Sequence, residues 1–145
     1  MIHGISLIDP NHTVKVLEKI PGYWMKEKGK EAVYTVLNKY KDIDVIFSYS
    51  DTMTIGCIEA TIESHRKDII FSSIDGSKEA LQNMSQGGQL KAIGINDPVR
   101  IGKLGANIAA LFLDTGLIPS KKILTEPIII TPETVHAFYD SKSPF

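Results

Sequence analysis

Seven polar or aromatic residues stand where ligand chemistry is usually done: Ser50 and Asp51, Asp75, Asn96 and Asp97, and the adjacent pair Tyr23 and Trp24. The polar ones each follow a short apolar run rich in β-formers. Carboxylates and amides bond to hydroxyls in pairs, and an aromatic face packs on the C–H face of a sugar ring. Together they form a set suited to a polyhydroxylated ligand. Taken singly, Asp, Asn and Ser are the usual capping and turn residues, so each alone reads first as structural. Asp75 is the exception, because Ser77 can cap the next helix and leave the carboxylate free. For Trp24 the competing reading is a half-buried surface aromatic.

Catalytic and metal signatures are weak. The chain has no Gly-x-Ser-x-Gly elbow, no Gly-x-x-x-x-Gly-Lys-Ser/Thr loop and no Gly-x-Gly-x-x-Gly after a strand. His3, His12, His65 and His136 are scattered without metal-ligand spacing. Cys57 falls within a helical pattern, with only His65 nearby, two turns on, and reads as a small core residue. The acidic pair that a phosphoacceptor domain needs after its first strand is missing. The residues point to binding rather than catalysis, with no cofactor and no metal.

The elements that must position these residues alternate. Val45-Ile46-Phe47 is too short for a helix and reads as a buried strand. Ser48, Ser50 and Asp51 can cap the helix that begins at Thr52 and runs to residue 65. Asp68 to Ile74 is the next strand, followed by a helix from Ser77 to Met84 or Gln86 that Gly87-Gly88 closes. Leu90 to Ile95 is another strand, and Pro98 suits the first turn of a helix with a stripe at Ile101, Leu104, Ile108, Leu111 and Phe112. Upstream, residues 1 to 9 read as the end of a helix, Thr13 to Glu18 as a strand, and Lys26 to Tyr40 as an amphipathic helix. Downstream, Ile123 to Ile130 reads as an edge or irregular strand because of Pro127. A short helix opens at Thr131-Pro132-Glu133, and residues 141 to 145 form a frayed tail. Alternation of this kind implies an α/β fold, a parallel sheet with helices on both faces. In such sheets ligands bind beyond the carboxyl ends of the strands, so the polar turns share one edge.

Composition sets the outer bounds. A chain of 145 residues with 43% hydrophobic and 23% charged residues is one ordinary globular domain. A net charge of −1 and scattered basic residues give no electrostatic footprint for nucleic acid. One cysteine excludes an internal disulfide. No apolar stretch approaches a membrane span, and the first residues lack the pattern of a signal peptide.

With these residues in view, the chain resembles the periplasmic sugar-binding proteins of the ribose/galactose type, the type 1 periplasmic binding protein family. Asp44 to Gly56 is similar to that family's Asp-x-aliphatic-aliphatic-Phe-x-x-Asn-Asp-x-Met-Ala-x-Gly segment, and Ser72-Ser73-Ile74-Asp75-Gly76 to its Gly-Phe-Asp-Gly. Gly87 to Gly102, with Leu90-Lys91-Ala92 and Asn96-Asp97-Pro98, resembles Gly-x-Leu-x-Ala-Thr-x-x-Gln-x-Pro-x-x-x-Gly. Trp24 to Gly29 matches the aromatic loop before a helix, and Ile128 to Pro132 the closing strand. The likeness covers nearly the whole chain, in order.

The resemblance implies a single lobe over residues 1–145, the C-terminal lobe of a two-lobed protein, without its N-terminal lobe. It implies a flavodoxin-like three-layer sheet that lacks its first, central strand and so carries unpaired edges, which allows a homodimer. Ligand contacts would fall on Trp24 by stacking and on Ser50, Asp75 and Asn96 by hydrogen bonds, with Asp51 capping the helix. Ser50 stands where the family usually has Asn, and Asn96 where Gln is common. The implied function is pentose or hexose binding for ABC-type uptake or chemosensing, in the periplasm or another extracytoplasmic space. Its partners would be the sugar and a membrane permease or a chemoreceptor, with no nucleic acid. The effector domain of a lactose-repressor-type regulator and the ectodomain of a sugar-sensing kinase share the lobe and stand as alternatives.

Overall fold

A computed structural model describes residues 9, 11, 13–120 and 122–142. The helix end expected over residues 1 to 9 and the last residues of the tail lie outside them. The helices are α1 (Lys26–Lys39), α2 (Asp51–Glu63), α3 (Lys78–Ser85) and α4 (Pro98–Thr115), and the strands β1 (Val45–Phe47), β2 (Ile70–Asp75), β3 (Leu90–Ile95) and β4 (Ile129–Ile130). The strand order is β1-β2-β3-β4. The first three strands run parallel, as expected for strands separated by helical crossovers.

Local chemistry explains most boundaries. Glu27 in the first turn of α1 and Lys39 in its last complement the helix dipole. Ser77 caps α3 by accepting from the Ala80 N–H at 3.4 Å. Asp97 caps α4 by accepting from the Arg100 N–H at 3.0 Å, with Pro98 in the first turn. Gly116, at φ 71°, ends α4 in the left-handed conformation that glycine adopts without strain.

Three expected elements differ. Thr13 to Glu18 forms no ladder among the described residues, since alternation suits a strand but a partner's hydrogen bonds make one. It is pinned instead to the end of α1, where the Tyr40 hydroxyl donates to the Leu17 carbonyl at 3.1 Å. The last strand shrinks from residues 123–130 to Ile129–Ile130 and runs antiparallel to β3, with Ile93 opposite Ile130. Pro127, which has no N–H, sits just ahead of it. The terminal helix is a single 3₁₀ turn, Val135–Ala137.

The core lies on one face of the sheet. Phe71, Leu90, Ile93 and Ile130 meet Cys57, Ile58 and Ala60 of α2, Ala80, Leu81 and Met84 of α3, and Val33 of α1. α2 has eight of its 13 residues buried and packs against both α1 and β2. The α1–α2 crossing is close because two glycines sit in it. A Cβ at Gly29 would stand 2.5 Å from the Met53 carbonyl oxygen, and one at Gly56 would overlap the Lys26 carbonyl. Both obstacles are backbone, which cannot swing aside.

Gly56→Ala therefore reverses the usual sign. In an open helix the change stabilises by about 1 kcal/mol. Here the overpacked crossing costs about 1–3 kcal/mol net, read as a lower urea midpoint or melting temperature by circular dichroism. A variant as stable as the parent would show that the crossing is looser than described.

Candidate functional site

The carboxyl ends of β1, β2 and β3 lie along one edge of the sheet. They carry Ser48 to Asp51, Asp75 to Ser77, and Asn96 to Asp97. Asp51 is the most constrained of these residues. It is only 1% exposed, and its carboxylate accepts from the Gly76 N–H at 2.8 Å, the Ser77 N–H at 2.6 Å and the Ser73 hydroxyl. The Thr54 hydroxyl lies 2.9 Å from both the Ser73 hydroxyl and the Ser50 carbonyl, extending the network into α2. Burial pushes the Asp51 carboxyl above its ordinary value, against the lowering effect of these bonds.

This corrects the capping role expected of Asp51. Ser50 occupies the cap position of α2, with no side-chain cap bond, and Asp51 is the first helical residue. Its carboxylate reaches across to the amides that lead into α3. The turn it holds is a strained one, with Asp75 at φ 135° and Gly76 at φ 93°.

Asp75 is thereby kept out of capping. Ser77 caps α3, and the Asp75 carboxylate makes two long contacts among the described residues, from the Asp51 N–H at 3.4 Å and the Asn96 side-chain amide at 3.5 Å. The backbone joins the same two strands, the Asn96 N–H donating to the Asp75 carbonyl at 3.1 Å. Asp75 and Asn96 are thus neighbours. Ser50 is buried at the root of the edge, and its hydroxyl makes no hydrogen bond among the described residues.

Trp24 reaches the same end of the molecule on a separate turn. The Met25 N–H donates to the Gly22 carbonyl at 3.0 Å, and the two central residues, Tyr23 and Trp24, are both left-handed at φ 52° and 57°. Side chains other than glycine adopt that conformation at a cost of about 1–2 kcal/mol each. Gly22 lies against Met53 of α2, which sets the turn beside the Ser50–Asp51 junction. Both rings point to solvent, Trp24 at 72% exposure. Ser50, Asp75 and Asn96 are gathered on the strand ends, and Trp24 stands at their flank.

One aromatic residue at this edge, Tyr49, is not among the candidates that the sequence singles out. Tyr49 projects from the end of β1, half-exposed and edge-on to Phe47 at 5.0 Å between ring centroids. Tyr23 shares the strained turn with Trp24. The signal for Tyr49 was its place between two serines at a strand end. Cys57 is inert: burial pushes its thiol up to about 12, and it donates to the Gly29 carbonyl at 3.3 Å. No group of His, Cys, Asp and Glu suited to a metal occurs among the described residues. At the strand-end edge Asn96 is exposed and Asp75 half-buried. A cleft of about 310 Å³ lies elsewhere, at the amino ends of β2 and β3 among Ile58, Lys67, Ile70, Asn83 and Gln89.

Comparison with known proteins gives a consistent picture. Residues 5–116 match the sequence profile of the family described as periplasmic binding protein domain. The ribose import binding protein of Bacillus subtilis is 32% identical over 66% of this chain and 31% of its own length. The galactofuranose-binding protein of Escherichia coli is 26% identical over 89% of this chain and 42% of its own. Among solved structures, the periplasmic binding protein component of an arabinose ABC transporter from Shewanella sp. ANA-3 superposes with a TM-score of 0.82. The match covers 94% of this chain and 46% of that one at 24% identity, which speaks to the fold. The chain spans less than half the length of these relatives.

Removing the Asp51 carboxylate leaves the Gly76 and Ser77 amides and the Ser73 hydroxyl without their acceptor. Asp51→Ala should cost about 2–4 kcal/mol in urea unfolding. The pH dependence has a defined sign. A folded-state carboxyl raised above its unfolded value contributes most in acid, and that contribution is lost as pH rises through the folded value. The stability of the parent relative to Asp51→Asn should therefore grow as the pH is lowered from about 7 toward 4. A difference that shrinks on acidification would mean that the bonds outweigh burial.

Proposed function

Because the chain belongs to the periplasmic binding protein domain family, we propose that its strand-end edge is one wall of a sugar site in a solute-binding protein. The observation that carries this reading is the Asp75 carboxylate. It is released from capping by Ser77, held in a strained backbone by Asp51, and placed beside the Asn96 amide. A carboxylate with so few internal partners is suited to accept from a pair of vicinal hydroxyls, while the amide donates to one of them. The buried Ser50 hydroxyl supplies a third polar contact, and Trp24 an aromatic face for the C–H side of the ring.

The ligand class follows from this chemistry and from the relatives, whose names specify ribose, galactofuranose and arabinofuranose. We place the sugar among pentoses and hexoses. The proposed setting is the periplasm or another extracytoplasmic space, with an ABC-type permease or a chemoreceptor as the membrane partner. Nothing in the edge is arranged to break a bond, so the action is capture and release.

An open edge leaves one side of the sugar in water, which sets the affinity low. With a dissociation constant of about 1–10 mM, 100 mM sugar would stabilise the chain by about 1.4–2.7 kcal/mol. The test is a thermal-shift and saturation-transfer NMR screen with D-ribose, D-galactose and L-arabinose. At least one sugar should raise the melting temperature. Asp75→Asn and Trp24→Ala should weaken it several-fold without changing the melting temperature of the free protein by more than a few degrees. No response to any sugar by either method, or the same response in both variants, would overturn the assignment of this edge.

A further inference from the structure

Most of the buried polar residues meet at one point. Among the described residues seven polar or charged ones are buried, and five of these, Ser48, Ser50, Asp51, Thr54 and Ser73, lie where β1, α2 and β2 join. So far from water, two oxygens at hydrogen-bond distance need a proton between them; otherwise lone pair faces lone pair.

Four such contacts run in series. The Ser48 hydroxyl donates to the Ser50 carbonyl at 3.0 Å. The Thr54 hydroxyl stands 2.9 Å from that carbonyl and 2.9 Å from the Ser73 hydroxyl. The Ser73 hydroxyl in turn meets Asp51 Oδ1. The Ser50 carbonyl, which also takes the Thr54 N–H, can only accept. Three hydroxyls therefore hold three protons for four contacts. With Asp51 ionised, Ser73 donates to it, and Thr54 can give its proton to Ser50 or to Ser73 but not fully to both.

A proton on Asp51 Oδ1 supplies the fourth. Asp51 then donates to Ser73, Ser73 to Thr54, and Thr54 to the Ser50 carbonyl. The other carboxyl oxygen, Oδ2, keeps the Gly76 and Ser77 N–H groups at 2.8 and 2.6 Å in either state.

We propose that Asp51, Ser73 and Thr54 form a proton switch: uptake of one proton at Asp51 Oδ1 turns the Ser73 hydroxyl around and closes an unbroken hydrogen-bond chain from the Asp75 turn to the first turn of α2. The proton comes from water, one O–H bond forms, and the net charge rises by one. Burial strengthens the hold of Asp51 on that proton and outweighs the bonds from Ser73, Ser77 and Gly76 that favour the charge. The titratable groups on the surrounding elements are Asp75 at the end of β2, Lys78 and Glu79 at the start of α3, and Glu59 of α2 paired with Lys26 of α1 at 2.7 Å. The switch grips the turn that carries Asp75, yet it does not rest on sugar binding.

The test is a carboxyl ¹³C NMR titration of the 145-residue chain, with Asp51 assigned from Asp51→Asn. In the parent, Asp51 should titrate above the ordinary aspartate range. Thr54→Val removes the group that accepts from Ser73 in the protonated chain. It should weaken the hold of Asp51 on its proton about three- to tenfold, and Thr54→Ser should restore it. If Ser73 merely donated to a permanent carboxylate, losing the Thr54 hydroxyl would weaken that donor and move the titration the other way. A titration that rises or stays put in Thr54→Val, or a parent Asp51 that titrates at or below the ordinary aspartate range, would overturn the proposal. Should Thr54→Val fail to fold, infrared difference spectra of the parent between neutral and mildly acid pH still decide. A buried carboxylic-acid band that disappears in Asp51→Asn is expected, and its absence from the parent would sink the switch.

Discussion

The buried carboxylate of Asp51 is the tie on which the packing of α2, β2 and α3 depends. It sits at the start of α2, yet its partners are Ser73 in β2 and the two amides that lead into α3. A charge so far from water is tolerable only when its lone pairs are occupied, and three donors occupy them. The arrangement joins three elements at one point and forces the chain at Asp75 into a conformation that it would not adopt alone. The strain is local, and its product is an acceptor with few competitors at the edge of the sheet.

Packing around α2 serves the same end. Glycines at 29 and 56 let α1 approach until backbone meets backbone, and that contact fixes the turn carrying Tyr23 and Trp24 beside the first turn of α2. Salt bridges such as Lys26–Glu59 at 2.7 Å and Lys30–Glu63 at 2.5 Å span the two helices at the surface, where such pairs contribute little. Close approach and burial, rather than charge, hold the aromatic turn in place. The structure is therefore asymmetric: one sheet face is packed tightly around α2, while the other face and α4 keep their apolar residues exposed.

Much of this was legible because local signals agreed. Helix starts at Ser77 and Pro98 and the short apolar strands follow from backbone chemistry that acts within a few residues. Residues 13–18 and 123–128 misled because a strand is a relation between segments. Alternating β-branched residues show that a segment can pair, and only the fold decides whether a partner lies beside it. The direction of β4 was hidden for the same reason.

The sequence by itself determined the α/β class and the alignment of Ser50, Asp75 and Asn96 at successive strand ends, since parallel crossovers bring those ends to one edge. It also determined the inertness of the lone cysteine, a small residue in an apolar helical pattern. That Ser77 could leave Asp75 free was legible locally; tertiary structure alone decided that Asp51 would be buried and would tie β2 to the start of α3. Asp51 and Asp75 are the same residue type at similar positions, each at a strand–helix junction. They part because the Gly76 and Ser77 amides converge on Asp51 and leave Asp75 facing outward. Convergence of that kind is a property of three elements packed together, and no spacing within any one of them records it.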